Sequence, residues 1–476
     1  MLRKKSVKRN AVFNVIRQLC NTLMPMVTFA YATRVLQVEN YGRINFCSSN
    51  VSYFLLIAGL GINTYAVREA PAIRGSAEKI RRFASQIFSI NLLSTVAAYI
   101  LLAAALIIWS PGKEYFSLVM IYSASIILTT IGVEWFFPIY EDYFYITVRT
   151  IAVHVIQIVL VFLLVKDPED TNTYAMIMVG TVGALQILNF FLAHRRIPFG
   201  LTRQMELAKH FRTILLLFAN NVLVVIYMHS DISMLGFMRG DADVGIYKAA
   251  VNLYLAVKSL LNAIYIVTIP RLSFYLSNNK KDEFKNLVNQ VLETLITLIF
   301  PALIGLFFMS KNVILLVSGE SYLESVKSLQ ILSISLLFAS IGGFLVNGIL
   351  IVNKKDKAVI RATMISASVN IVLNILLIPR IGSTGAAITT LIAEALVAVI
   401  AYIYVRRLVM FRLSKRTMLS VFLGCVGIVM ICMVCNSFID ELLLSTLTAV
   451  LGSVLFYGII QLLLRPDFVK SFLRRS

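Results

Sequence analysis

Apolar residues along this chain fall into long runs parted by short basic or polar stretches. Runs long enough to cross a bilayer core of roughly 30 Å recur at about 11–34, 44–63, 83–109, 115–138, 143–165, 173–193, 213–238, 245–270, 287–309, 326–352, 361–379, 384–405, 417–437 and 442–464. The pattern predicts an all-α polytopic membrane protein of about fourteen transmembrane helices. Several runs are not apolar all round. At about 100° per residue, Asn14, Arg17, Gln18, Asn21 and Thr22 share an arc of roughly 140° on the first run, with Val15, Leu19 and Leu23 opposite. On the eighth run Lys248, Asn252, Lys258, Ser259 and Asn262 share an arc of roughly 120°. Asn45, Ser48, Ser49 and Ser52 line one face of the second run, Asn220, Tyr227 and Asp231 one face of the seventh, and Arg149, His154 and Gln157 mark the fifth. The first, second, seventh and eighth helices are therefore the wet ones.

Composition narrows the class. Over 476 residues, 59% are hydrophobic and only 14% charged, which excludes an ordinary soluble domain. The net charge of +20 invites a nucleic-acid reading, but the basic residues cluster in the connections, where they act as topology signals. With the N-terminus inside, 32 of the 44 Lys and Arg fall in cytoplasmic segments and 8 in outer loops, so both termini are expected in the cytoplasm. The basic start from Arg3 to Arg9 leads into a run without a small-residue cleavage site, so the first helix is expected to stay. No connection exceeds about twenty residues, leaving no room for a soluble catalytic domain. The longer inner connections, 65–82, 194–212 and 273–286, mix apolar and basic residues and suit either short surface helices or solvated loops. All five cysteines lie in apolar runs, and the Cys432/Cys435 pair lacks His or Cys companions, so neither a disulfide framework nor a metal site is expected.

An internal echo links the first and seventh connections. Val38-Glu39-Asn40-Tyr41-Gly42 resembles Asp241-Ala242-Asp243-Val244-Gly245-Ile246-Tyr247, an offset of 203 residues. Two parallel six-helix repeats follow, 1–212 and 213–416, with 417–476 as an additional two-helix segment and tail. In such folds the substrate site is expected between the repeats.

The deep charges suggest the chemistry. A guanidinium at mid-membrane costs at least about 2.5 kcal/mol on insertion scales, so it normally faces a wet cavity, a partner or the headgroups. Arg17, Arg149, Lys248 and Lys258 are the cations inside spans. As a lumen set, with Asn14, Gln18, Asn21, Asn252, Asn262 and Asn220 as polar lining, they suit a phosphate or pyrophosphate, which takes several charge-assisted bonds away from bulk water. As isolated side chains, Arg17, Arg149 and Lys248 can snorkel to the headgroups instead. Asp231 and Glu394 stand as coupling-ion carboxylates for H+ or Na+, or as neutralising and helix-packing partners. No other cofactor and no catalytic set is indicated.

Three stretches carry a family likeness: Gly59-Leu60-Gly61-Ile62-Asn63 with Val67-Arg68-Glu69, the paired Tyr41-Gly42 and Val244-Gly245-Ile246-Tyr247 connections, and Ile378-Pro379-Arg380-Ile381-Gly382 through Gly385-Ala386-Ala387. Together they resemble the polysaccharide-repeat, O-antigen type flippases of the multidrug/oligosaccharidyl-lipid/polysaccharide exporter superfamily. The resemblance implies a multi-pass protein of the bacterial inner membrane. Its substrate would be an undecaprenyl-pyrophosphate-linked oligosaccharide moved to the outer leaflet by alternating access, and its partners membrane lipids and polysaccharide polymerase machinery. A drug and toxin extruder of the same superfamily is the rival, although a site for organic cations should be acidic and aromatic. A membrane glycan polymerase or ligase is the enzyme-class rival, and it needs a larger outer loop than this chain has.

Overall fold

The computed structural model describes residues 7–110 and 112–464, and the side chains of these except residues 7–12, 14, 15, 208, 209 and 220. Among the described residues the structure is helical without strands, as the apolar periodicity requires. Twelve helical runs among the described residues are long and apolar enough to cross a membrane, and two of them reverse midway, which accounts for fourteen spans. The chain divides into two compact units, Met1–Gly245 and Ile246–Ser476.

The first unit holds α1 (Val7–Gly59), α2 (Ile62–Glu69), α3 (Ala77–Trp109), α4 (Lys113–Ile131), α5 (Phe136–Ile139), α6 (Tyr143–Leu164), α7 (Thr171–Arg196) and α8 (Leu207–Met238), and it closes inside α9 (Asp241–Ile266). Helix α1 has 53 residues, far more than a bilayer needs, and it breaks at Gln37, whose backbone sits at φ 62°, ψ 179°. Its two arms turn back on each other. Leu55 lines a cavity with Gln186, while Arg17 lies level with α6 residues that bond one turn from Gln186. The predicted loop between the first two runs is thus a single non-helical residue. At the other end of the second arm, Leu60 (φ 44°) and Gly61 (φ 73°) take left-handed conformations and start α2. Gly61 is required there because a Cβ would meet the Phe218 backbone nitrogen at 2.9 Å. Tyr65, Phe83, Trp135, Phe136 and Phe137 belong to a buried, largely aromatic cluster with Ile146.

The second unit continues α9 through α10 (Ile269–Ser277), α11 (Lys281–Phe308), α12 (Ser310–Val317), α13 (Ser325–Gly343) with a wide turn Phe344–Leu350, α14 (Asp356–Val405), α15 (Lys415–Phe438) and α16 (Leu442–Leu464). Helix α14 reverses at Ile381-Gly382, where Gly382 takes φ 54°, ψ −133°. Ser366 Oγ donates to the Ala393 carbonyl at 2.7 Å and Thr389 Oγ1 to Asn374 Oδ1 at 2.5 Å, contacts only a hairpin can make. The α15–α16 pair packs on α11, with the Tyr457 hydroxyl on the Thr297 carbonyl at 2.6 Å. Of the connections expected on the inner side, 65–82 and 273–286 do contain short helices, α2 and α10, whereas 197–206 is irregular.

Candidate functional site

Two cationic arrays emerge, one in each unit. In the first, α1 and α6 run in parallel: Thr147 Oγ1 bonds the Phe13 carbonyl at 2.9 Å, and two turns further on His154 Nε2 meets Asn21 Oδ1 at 3.2 Å. This register puts Arg17, midway between Phe13 and Asn21, level with Arg149, and the two guanidinium groups lie within electrostatic reach of each other. Two like charges in a partly desolvated site repel, so the pair is at rest only with negative charge nearby.

Part of that charge is supplied indirectly. Arg149 Nη1 donates to Asn189 Oδ1 at 2.5 Å, Asn189 Nδ2 to Gln186 Oε1 at 3.3 Å, and Gln186 Nε2 to Glu134 Oε1 at 2.6 Å. The Arg149 guanidinium also stands over the rings of Phe137 and Tyr145, 5.1 and 5.6 Å from their centroids, where cation–π attraction offsets part of its lost hydration. Its Nε is buried with no hydrogen-bond partner among the described residues. Sequence reasoning marked Arg149 but missed Gln186 and Asn189. The signal was present, as one polar pair spaced i, i+3 in an otherwise greasy run.

In the second unit, Lys258 Nζ sits 2.6 Å from Glu394 Oε1, and the Tyr254 hydroxyl donates to the same oxygen at 3.3 Å. Lys258 and Glu394, read separately from the sequence as lumen cation and coupling-ion candidate, are therefore joined as an ion pair. One turn along α9, Asn262 has a buried Oδ1 without a hydrogen-bond partner among the described residues, while Asn252 is half-buried. Lys248 is half-buried near the start of α9, with no carboxylate within ion-pair distance among the described residues. Asp231 is buried on α8, within electrostatic reach of Tyr53. Gln18 and Asn21 are exposed. The side chains of Asn14 and Asn220 lie outside the described set.

The echoed connections also meet, all within the first unit. A Cβ on Gly42 would lie 1.8 Å from the Asp241 carbonyl oxygen, and a Cβ on Gly245 would lie 2.2 Å from the Val38 carbonyl oxygen. Val38 and Asp241, like Gly42 and Gly245, are 203 residues apart, so the two contacts are one contact made reciprocally. Next to them Arg43 Nε binds Asp241 Oδ2 at 3.0 Å, Tyr115 donates to the same oxygen at 2.6 Å, and Glu114 completes the cluster.

Fold and site define a polytopic all-α membrane protein with fixed cations held inside its helices. A family model described as polysaccharide biosynthesis protein matches residues 7–276, more than half of the chain, and the chain belongs to that family. A second model, MatE, matches residues 216–376. A protein of Escherichia coli (strain K12) assigned as an O-antigen transporter is 24% identical over 414 residues, covering 85% of this chain and 97% of its own. Among solved structures, lipid II flippase MurJ in an inward closed conformation superposes with a TM-score of 0.74 at 20% identity, over 95% of this chain and 98% of that one. A multidrug resistance MATE family transporter in an inward-facing conformation gives 0.51 at 14% identity, over 86% and 96%. These two likenesses concern the fold.

Proposed function

We propose that this chain is a lipid-linked oligosaccharide flippase. It carries an undecaprenyl-pyrophosphate-linked sugar repeat unit from the inner to the outer leaflet of a bacterial inner membrane by alternating access, and delivers it to polysaccharide polymerase machinery. The observation that carries this reading is the level placement of Arg17 and Arg149 on parallel helices. A multiply charged headgroup crosses hydrocarbon only where fixed cations replace its water, and two guanidinium forks at one level meet that need. The family membership and the O-antigen transporter relative support the lipid-linked glycan as substrate class. Lys258, Lys248, Asn252 and Asn262 belong to the same reading as a second polar face, and the loop charges support both termini in the cytoplasm. Transport is driven by a coupling ion, H+ or Na+, with Asp231 and Glu394 as its candidate carboxylates.

The test is glycan export in cells lacking the native flippase. Arg17→Ala and Arg149→Ala should each lower export at least about tenfold at equal expression, the effect of losing roughly 1.4 kcal/mol or more of headgroup binding. Arg17→Lys should restore it only in part, because the bidentate fork is lost. Folded, inserted alanine variants that export at the wild-type rate would overturn the reading.

A drug-extruder reading draws on the MatE match over 216–376. Arg17 and Arg149 oppose it, since they repel organic cations. Expression that raises resistance to cationic drugs and leaves glycan export unchanged would favour it.

A further inference from the structure

Helix α6 presents two different faces. At about 100° per residue, Val153, Ile156, Leu160 and Leu164 share an arc of about 80°, and Arg149 falls inside it. Thr147 and His154, which bond the Phe13 carbonyl and Asn21 on α1, lie roughly 120–140° round the helix from that arc. The apolar arc forms one wall of a groove of about 480 Å³, and α7 forms the other, with Gly180 and Ala184 in its lining. In the antiparallel register set by the bond between Arg149 and Asn189, Val153 falls opposite Ala184, so the guanidinium is the next rung of the same groove. Small residues on a membrane helix normally let a neighbour close in. Here they do not, since a Cβ on Gly180 would meet nothing within 4 Å among the described residues. The groove stays open along roughly 16 Å, the rise from Val153 to Leu164. A gap of this kind forfeits contacts on both walls, and a lipid chain, no more apolar than leucine, fills it by fit alone.

The two ends of the groove differ in charge. At one end Arg149 donates to Asn189, and its Nε is buried with no hydrogen-bond partner among the described residues. At the far end the α6–α7 connection carries Asp167, Glu169 and Asp170 against one lysine, Lys166, whose Nζ turns back to the Phe162 carbonyl at 2.6 Å. That connection is pinned over the groove's end by the Tyr31 hydroxyl on the Val165 carbonyl at 2.8 Å and by Asn40 on the Pro168 carbonyl at 2.7 Å. An amphiphile that follows the charge therefore puts its anion at Arg149 and its chain toward the closed, acidic end.

We propose that this groove binds the polyprenyl chain of the lipid-linked substrate while the pyrophosphate sits on Arg149 and Arg17, an inference that rests on the anion-site reading above. Depth selects this occupant over an ordinary phospholipid. Arg149 lies six residues, roughly 9 Å, inside α6. A phospholipid keeps its phosphate in the headgroup layer and fills the groove only by leaving the guanidinium unmet, whereas a lipid whose anion has been drawn to Arg149 satisfies both. Its chain needs no separate encounter, because the bound headgroup holds it at high local concentration beside the groove. A methyl branch of the chain can enter the notch at Gly180. Headgroup and chain are thus read together, by one face of one helix.

The experiment uses the full chain in phosphatidylcholine nanodiscs and calorimetry with two probes, inorganic pyrophosphate and farnesyl pyrophosphate, which adds three isoprene units. Gly180→Leu fills the groove where there is room for it, and Ile156→Trp fills it from the opposite wall; both leave Arg149 and Arg17 in place. Each should weaken farnesyl pyrophosphate binding about fivefold to tenfold and change inorganic pyrophosphate binding by less than about twofold. Gly458→Leu, equally unhindered on α16, should change neither, which controls for partition of the probe into the bilayer. Groove-filling variants that bind farnesyl pyrophosphate as tightly as wild type would overturn the proposal and leave the anion site standing. So would a wild-type advantage over Gly180→Leu that vanishes in phosphatidylglycerol nanodiscs, which would assign the groove to phospholipid. Pyrophosphate binding that is absent, or unaffected by Arg17→Ala and Arg149→Ala, would overturn both readings.

Discussion

Gly42 and Gly245 occupy places where a single methyl group would strike a carbonyl oxygen at 1.8 and 2.2 Å, and backbone cannot swing aside as a long side chain can. Gly42→Ala or Gly245→Ala should each cost about 1–3 kcal/mol or more of stability by overpacking. Gly458→Ala, with nothing within 4 Å of its Cβ, should stay within about 0.5 kcal/mol of wild type. Thermal melts of detergent-purified variants check both. A different single-residue sensitivity belongs to Lys258 and Glu394. Removing one partner should cost about 3–5 kcal/mol by stranding a buried charge, while Lys258→Met with Glu394→Leu should recover most of it. A double variant as unstable as the sum of the singles would refute the pairing. These pairings mark the limit of sequence reading at this scale. Arg17 and Arg149 stood out because a cation in an apolar run is rare. That Lys258 would find Glu394, 136 residues away, depends on packing that no local pattern encodes.

Helices α1 and α14 show why boundaries were harder to read than spans. Hydropathy sees the length of an apolar run, and fourteen runs were legible, but it reads any polar residue between them as loop. In α1 the polar stretch 38–43 is helical, because Asn40 donates to the Pro168 carbonyl at 2.7 Å and Arg43 is bound by acidic side chains, so neither needs water. The motifs that carried the family likeness are reversals: Leu60-Gly61 after α1, and Ile381-Gly382 within α14. The α6–α7 connection gives a pH prediction. Asp170 Oδ2 accepts the Lys166 and Asp167 amides at 2.8 and 3.0 Å, and these hydrogen bonds, Lys166 first, hold its carboxyl below the usual aspartate range. A depressed carboxylate contributes order that is complete above its unfolded value, about 3.9, and lost as pH falls through the lower folded one. Protection of the Lys166 and Asp167 amides from exchange should therefore persist at pH 5 and fade only in strong acid. Asp170→Ala should remove that protection at every pH.

At the scale of the whole molecule, the charge asymmetry of the connections predicts both ends in the cytoplasm. A C-terminal alkaline phosphatase fusion should be inactive and a fluorescent protein fusion bright, and the opposite pattern would reject the topology. The one-residue reversal of α1 has a further consequence, for how the chain is made. Two spans joined at Gln37 leave the ribosome with no tether between them, so the first arm cannot settle in the bilayer and wait for the second. They must pass sideways out of the translocon as one helical hairpin. Arg17, poorly suited to enter lipid on a lone segment, would then be integrated together with the second arm.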